Sequence, residues 1–377
     1  MAKPAENLLH YAASETDADM YYATRFLAPD AFAWFRTKGR DWLVASDLEI
    51  GRAREEASVD GVLSLTDLRK RAEKSGVKRP GMPDILAAAL RLKKVRSVEV
   101  PDQFPLGMAD ALRGRGIKVT ARRAPFLPAR VLKTPAEVKA IRECQEATER
   151  AVHRAFDRLR KARILGNSIV EKGGRRLTAE DVKRTIDVSL MEDSCIAKNT
   201  IVACGDQAVD PHNRGTGYLR PHQAIVFDVF PRSARTGYYS DMSRTVVKGR
   251  ASEALRRQYA AVLEGQEMGI GMIRAGVNGR EVHQAIHRRF EEQGYRTGPR
   301  NGKMQGFFHG TGHGVGLDIH EAPRVGGVDD TLPAGSVVTV EPGLYYPGVG
   351  GVRLEDMVLV QERGCRNLTV FEKTLVL

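Results

Sequence analysis

One aspartate constrains this chain more than any other feature: Asp228, inside the apolar run Ile225-Val226-Phe227-Asp228-Val229-Phe230. A strand this apolar is buried, and a lone carboxylate buried in it costs several kcal/mol unless it is paired or bound to a cation. The arrangement recurs. Asp241 precedes the β-rich run Met242 to Val247, Glu341 closes Val337-Val338-Thr339-Val340, and Glu355 lies in Gly350 to Val358, two residues after Arg353. Pro231 to Gly237 reads as a hairpin loop. Antiparallel strands on either side would set Asp228 next to Asp241, where like charges repel unless a cation lies between them. Taken singly, each carboxylate has an ordinary explanation: a backbone-bonded strand end, a turn before Pro342-Gly343, or a surface pair between Arg353 and Glu355.

The stretch His309-Gly310-Thr311-Gly312-His313-Gly314-Val315-Gly316-Leu317-Asp318-Ile319-His320-Glu321 adds imidazoles. Its alternating glycines oppose a helix, each costing about 1 kcal/mol in a helix interior. An extended strand fits, with His309, Thr311, His313 and Val315 on one face. The bare face would let another backbone or a ligand approach. His320-Glu321 lacks a histidine at 324, which is arginine, so the zincin signature fails.

Together, Asp228, Asp241, Glu341 and Glu355 call for compensating positive charge, and two divalent cations would supply it. Oxygen donors with one imidazole suit Mn²⁺, with Co²⁺, Zn²⁺ or Fe²⁺ as alternatives. Two metals about 3.5–4 Å apart can clamp both oxygens of a tetrahedral intermediate.

The chain has 377 residues, which sets a prior of two domains. Thr134-Pro135-Ala136-Glu137 is a capping box with proline at the first helical position. Val138, Ile141, Cys144, Thr148 and Val152 follow at helical spacing, so a long amphipathic helix starts near 135. The expected boundary precedes it: residues 1–133 form an N-terminal domain and 134–377 a catalytic one. Before the boundary, strand-like 41–45, a helix over 47–57, a helix over 82–92, and strand-like 95–100 and 116–120 predict a smaller α/β domain. It contains no glycine-rich phosphate loop and no nucleophile elbow. After the boundary, helices over 252–270 and 279–293 stand apart from strands over 224–229, 238–247, 337–340 and 351–360. That segregation predicts α+β.

The formal charge is +12, but it is spread out: 24 basic and 17 acidic residues lie in 1–133, against 35 and 30 beyond. Nucleic-acid binding would want a concentrated patch, so it is not expected. Cys144, Cys195, Cys204 and Cys365 form no CxxC pair, as in a reduced cytoplasmic chain. The first 22 residues lack a basic start followed by an apolar core, so no signal peptide is read. No apolar run of about 18 residues predicts a membrane span.

The ordered set Asp228, Asp241, His313, Glu341 and Glu355 resembles the pita-bread metallopeptidases, a family that includes methionine aminopeptidase, aminopeptidase P and prolidase. The resemblance is strong over residues 205–360, above all in HGTGHGVGLDIHEAP, VEPG and GVRLED. An N-terminal domain points to the aminopeptidase P/prolidase/creatinase branch; creatinase lacks the metal ligands, and all five stand here. The resemblance implies a C-terminal pita-bread fold behind a creatinase-like N-terminal domain. It implies that Asp228 chelates one metal, that Asp241 and Glu355 bridge both, and that His313 and Glu341 hold the other. It further implies that Glu341 takes the proton of the attacking water and that His320 steadies the tetrahedral intermediate. His309 would line the proline side, His212 would touch substrate, and Arg353 would orient carboxylates. The segment between Asp228 and Asp241 is longer than the family's by about two residues, and its Arg232 and Arg235 either widen a turn or reach substrate.

The first expectation is therefore an Xaa-Pro aminopeptidase acting through a metal-bridging hydroxide on peptides with proline second. The alternative is an Xaa-Pro dipeptidase (prolidase), and a lesser one a non-enzymatic peptide- or protein-binding member of the fold. The branch also implies a homodimer.

Overall fold

A computed structural model describes residues 7–377. Residues 1–6, where the stretch read for a signal peptide begins, lie outside the described residues. The chain divides into two compact units between Pro128 and Ala129.

The first unit is built on one six-stranded mixed sheet. Its strands are β1 (Leu8–Ala12), β2 (Phe32–Thr37), β3 (Arg40–Ala45), β4 (Gly61–Ser64), β5 (Ser97–Pro101) and β6 (Lys118–Arg122), in the order β4-β3-β2-β1-β5-β6. The β2–β3 hairpin turns through Lys38-Gly39, both at positive φ, which matches the twist of the strands it joins. Residues alternate between two cores. Leu9, Ala33, Phe35 and Val44 pack with α3 (Leu65–Lys74), α4 (Met82–Leu92) and α5 (Leu106–Arg113). Leu8, Phe32, Trp34 and Leu43 pack with α1 (Ala18–Thr24) and α2 (Ile50–Glu56) on the other face. Helices on both faces make this unit an α/β layer.

The second unit opens with α6 (Pro135–Lys161), whose capping box is formed by Thr134 and Glu137 as expected. A hairpin of β7 (Arg163–Leu165) and β8 (Ser168–Val170) leads to α7 (Ala179–Glu192). After β9 (Cys195–Ile196) come β10 (Ile201–Cys204), β11 (Ala224–Val229), β12 (Arg232–Ser233) and β13 (Met242–Val247). Helices α8 (Glu253–Met272) and α9 (Gly279–Glu292) follow, then the hairpin of β14 (Gly298–Arg300) and β15 (Lys303–Gln305). The last strands are β16 (Gly312–Gly314), β17 (Glu321–Val325), β18 (Val337–Val340), β19 (Gly343–Tyr346), β20 (Gly350–Arg353), β21 (Asp356–Val360) and β22 (Cys365–Asn367).

Two sheets carry this unit, β10-β11-β13 and β17-β16-β18-β21-β22. Each buries one face under a helix pair. Ile225, Phe227, Val229, Met242 and Val246 pack with α6 and α7, while Val338, Val340, Val358 and Val360 pack with α8 and α9. Period-two alternation then sends Asp228, Ser243 and Thr339 to the faces away from the helices. The sheets are stitched together where the Glu355 N–H donates to the Ser243 carbonyl at 3.1 Å. Among the described residues, no helix is long and apolar enough to cross a membrane.

Three strand expectations need correction. Residues 351–360 form two strands in different sheets, because the Glu355 N–H turns to Ser243 and its carbonyl is taken by the buried Arg244 guanidinium at 2.7 Å. Arg353 and Glu355 therefore do not share one strand face. Residues 238–241 leave the ladder expected over 238–247: the Tyr239 N–H bonds Gly316 and the Ser240 N–H bonds Pro231. The glycine-rich strand covers only 312–314, with a register shift after His313, so His309 and Thr311 lie outside it.

Candidate metal centre

Asp228 sits in β11 directly across from Ser243 of β13, and Asp241 stands just ahead of β13. Alternation along β11 keeps Asp228 on the side away from α6 and α7. The Asp228 carboxylate accepts from Arg353 Nη2 at 2.6 Å. Burial pushes its carboxyl up, with Arg353 pulling the other way.

His313 is held by two backbone contacts. Its N–H donates to Thr339 Oγ1 at 3.1 Å, and its Nδ1 faces the Gly314 carbonyl at 3.2 Å. A carbonyl only accepts, so Nδ1 carries the proton of that bond and Nε2 is left to face the carboxylates. Nε2 lies 3.3 Å from Glu341 Oε1 and 3.7 Å from Asp241 Oδ2. The flanking glycines permit this approach: a Cβ on Gly312 would fall 2.0 Å from the Thr339 carbonyl oxygen.

Glu341 directly follows β18, its N–H donating to the Thr311 carbonyl at 2.7 Å. Burial works to raise its carboxyl, but the His313 hydrogen bond, His309 and Arg353 outweigh it and hold it at about 2. Glu355 occupies the break between β20 and β21, where Oε2 accepts from Ser243 Oγ at 2.8 Å. Asp241 and Glu355 are 4% and 2% exposed. Asp241 Oδ1 and Glu355 Oε1 are buried without a protein hydrogen bond. Burial, followed by the neighbouring carboxylates, pushes both carboxyls well above their ordinary range.

These observations test whether a divalent cation fits. Asp241, His313 and Glu355 each offer one ligand atom, all within 4.8 Å of one another. Two orphaned carboxylate oxygens and an imidazole nitrogen form an oxygen-rich donor set of the kind divalent transition metals take. The residues present fit such an ion, and the metal would replace the protonation that burial otherwise forces on the carboxylates.

The other predicted residues divide into a wall and a rim. Arg353 is 3% exposed and donates to Asp228, to Ser243 Oγ at 2.9 Å and to Tyr345 Oη at 3.0 Å. Tyr345 Oη lies 3.0 Å from His309 Nε2, and His309 Nδ1 faces the Gly310 carbonyl at 2.7 Å. The directions follow in turn: Arg353 donates to Tyr345, Tyr345 to His309, and His309 to Gly310. Burial lowers His309 to about 4, so this chain runs through a neutral imidazole. His320 is exposed and stands edge-on to His313, ring centroids 4.3 Å apart. His212 is exposed on the turn after residues 205–209, and the Arg324 guanidinium acts electrostatically on His320. Arg232 donates from Nε to the Gly237 carbonyl at 3.0 Å, and Arg235 is exposed.

Sequence reasoning missed Ser243, Thr339 and Tyr345. Ser243 carried a signal, since it lies two residues after Asp241. Tyr345 carried none, because its place depends on pairing opposite Gly351 in the β19–β20 ribbon.

The Xaa-Pro dipeptidase of Pyrococcus furiosus is 32% identical over 249 residues, covering 66% of this chain. The match spans 65% of that relative's own length. The structure of an Xaa-Pro dipeptidase from Bacillus anthracis superposes with a TM-score of 0.81 at 24% identity, covering 99% of this chain and 95% of that one. That of an X-Pro aminopeptidase from Thermotoga maritima gives 0.79 at 22% identity, covering 99% and 98%. These likenesses establish the pita-bread fold, α+β in class. Residues 139–362, more than half of the chain, match the profile of metallopeptidase family M24, and this chain belongs to that family.

Proposed function

We propose that this chain is an Xaa-Pro dipeptidase working with two divalent cations, manganese being the first candidate. The observation that carries the metal chemistry is the buried Asp241–His313–Glu355 cluster with its unpartnered carboxylate oxygens. The substrate class rests on the relatives' names, which favour the dipeptidase over the aminopeptidase taken first from the sequence.

Asp228, Asp241, His313, Glu341 and Glu355 would hold the cations. When bound, the cations polarise the substrate carbonyl and make water acidic. The chain's own groups do the rest. Glu341 offers a carboxylate oxygen that can accept a proton from water. His320 is free of protein hydrogen bonds among the described residues, so its ring nitrogens can serve the charge developing on substrate. His309 has both nitrogens engaged and presents a ring beside Phe308, with the buried Phe307 packed behind it. A proline nitrogen in peptide linkage has no hydrogen to offer, so an aromatic wall recognising the ring by shape suits it.

The test is mass spectrometry of matched peptides after reloading the chelated protein with Mn²⁺. Cleavage of Xaa-Pro with Xaa-Pro-Yaa left intact supports the dipeptidase. Cleavage of Xaa-Pro-Yaa overturns it in favour of the aminopeptidase, and no metal-dependent cleavage of either overturns both.

A further inference from the structure

His320 projects from the segment that links β16 to β17, and its neighbour Glu321 is the first residue of β17. Glu321 does not point into solvent as a strand-end glutamate usually does. Its Oε1 lies 2.5 Å from Lys133 Nζ and its Oε2 lies 2.8 Å from Arg130 Nη2. Arg130 Nη2 also reaches Asp318 Oδ2 at 2.7 Å, so two residues of the same segment are tied to the approach to α6. The Lys133 side chain is 1% exposed, and its ammonium also donates to the Val131 carbonyl at 3.2 Å.

Both ends of this tie are fixed. The Lys133 N–H donates to the Gly335 carbonyl at 2.8 Å, and the capping box of α6 begins at the next residue. On the other side the Glu321 carboxylate lies over Gly316, where a Cβ would fall 2.5 Å from Oε1. The Gly316 N–H bonds the Asp318 carbonyl at 3.1 Å, and its carbonyl accepts from Tyr239 at 2.8 Å. The segment is thus folded back on its own carboxylate, and that carboxylate is held by two cations from a distant part of the chain. A buried ion pair of this kind contributes little net stability against apolar replacements, but it fixes geometry.

We infer that Glu321, clamped by Lys133 and Arg130, is a positioning residue that sets where His320 stands over the metal-ligand cluster. This rests on the reading of His320 as the group that serves the charge developing on substrate. Lys133 and Glu321 do not touch substrate; they act through the backbone from which the imidazole projects. A displacement of the order of 1 Å at such a group can cost up to about 10²-fold in rate.

The test is a mutant cycle on the full-length, Mn²⁺-loaded protein with the Xaa-Pro peptide that the wild type cleaves. Glu321→Gln keeps the shape and removes the charge. It should lower kcat by roughly 10-fold or more, change KM by less than about 3-fold, and leave metal content unchanged. In a His320→Ala background the same change should lower kcat by less than about 2-fold, because the group it positions is gone. Lys133→Met should behave likewise. Should it fail to fold for want of a partner to Glu321, Lys133→Met/Glu321→Met removes both charges and takes its place. An equal loss of kcat in both backgrounds, or loss of metal from Glu321→Gln, overturns the inference. Unchanged kcat in His320→Ala alone overturns the reading beneath it, and the inference with it.

Discussion

Arg353 and Asp228, 125 residues apart in the chain, meet at 2.6 Å between Nη2 and Oδ2, and the same guanidinium serves Ser243 and Tyr345. One buried cation thus orients a carboxylate of the metal centre and the aromatic wall beside it. Ser243 extends the arrangement by donating to Glu355. Arg353→Met should therefore weaken metal binding by about 10–100-fold, the usual effect of losing a partner that orients a ligand. Titration of the chelated protein with Mn²⁺ reads this directly. Arg353→Lys should restore little of the affinity, since an ammonium on a flexible stem cannot reproduce a planar fork serving several acceptors at once. Wild-type affinity in both variants would show that Asp228 needs no such partner.

Metal-free protein carries four neighbouring carboxylates at the site. Asp241 feels burial first, then Glu355, Asp228 and Glu341, all raising its carboxyl. Asp241→Asn removes, at almost constant volume, the cost of either charging this buried carboxyl among its neighbours or holding a proton on it. It should stabilise the chelated protein by about 1–2 kcal/mol, seen as a thermal midpoint several degrees higher. Added Mn²⁺ should raise the wild-type midpoint, by about 2.7 kcal/mol at a hundred times Kd, and the variant's much less. A variant less stable than wild type without metal would contradict the repulsion.

Much of this centre was legible because carboxylates in apolar strands are costly. Asp228 stood out as a carboxylate inside a continuous apolar run, and the glycines around His313 announced the close backbone approach now seen at Thr339. What stayed hidden depends on contacts far apart in sequence. The break at Glu355 arises because Ser243 and Arg244, more than a hundred residues earlier, take its backbone groups. No local pattern announces such a competitor. The Lys133–Glu321 pair, 188 residues apart, was invisible for the same reason. In the first unit β1 and β2 were passed over, although Phe32 to Thr37 is rich in strand formers, because β2 is buried on both faces and shows no alternation.

The capping box of α7 gives a pH-dependent prediction away from the site. Asp181 accepts from the Thr178 N–H at 3.2 Å and from Arg175 at 2.8 Å. Burial acts to raise its carboxyl, but Arg175 and the Thr178 hydroxyl and N–H outweigh it, so its pKa is lowered from 3.8. A lowered folded-state pKa means stability that is present above 3.8 and lost as pH falls through the folded value. Asp181→Asn should thus cost about 0.3–1 kcal/mol at neutral pH, the usual worth of a carboxylate charge in the first turn of a helix. In urea titrations of chelated protein, the gap between the two midpoints should close below pH 4. A gap independent of pH would mean that the carboxylate charge is not what holds the helix start.

Arg324 gives the sharpest test of substrate choice. It lies directly opposite His313 in the β16–β17 register and is exposed, and its charge acts on His320. An Xaa-Pro dipeptide presents a free carboxylate one residue beyond the scissile bond, whereas a longer peptide has an amide there. A guanidinium close to His320 is suited to bind that carboxylate through paired hydrogen bonds. A charged hydrogen bond of this kind contributes about 1.5–3 kcal/mol, so Arg324→Met should raise KM for Xaa-Pro by roughly 10–100-fold. The change should be mainly in KM, because the carboxylate is held equally in ground and transition states. Amidating the dipeptide gives the matching control. Wild-type protein should discriminate strongly against Xaa-Pro-amide, and Arg324→Met should lose most of that discrimination while its rate on the amide changes little. Steady-state kinetics of both proteins on both peptides decide the matter. Discrimination that survives in the variant would place carboxylate recognition on another residue of the rim, with His212 the next to substitute.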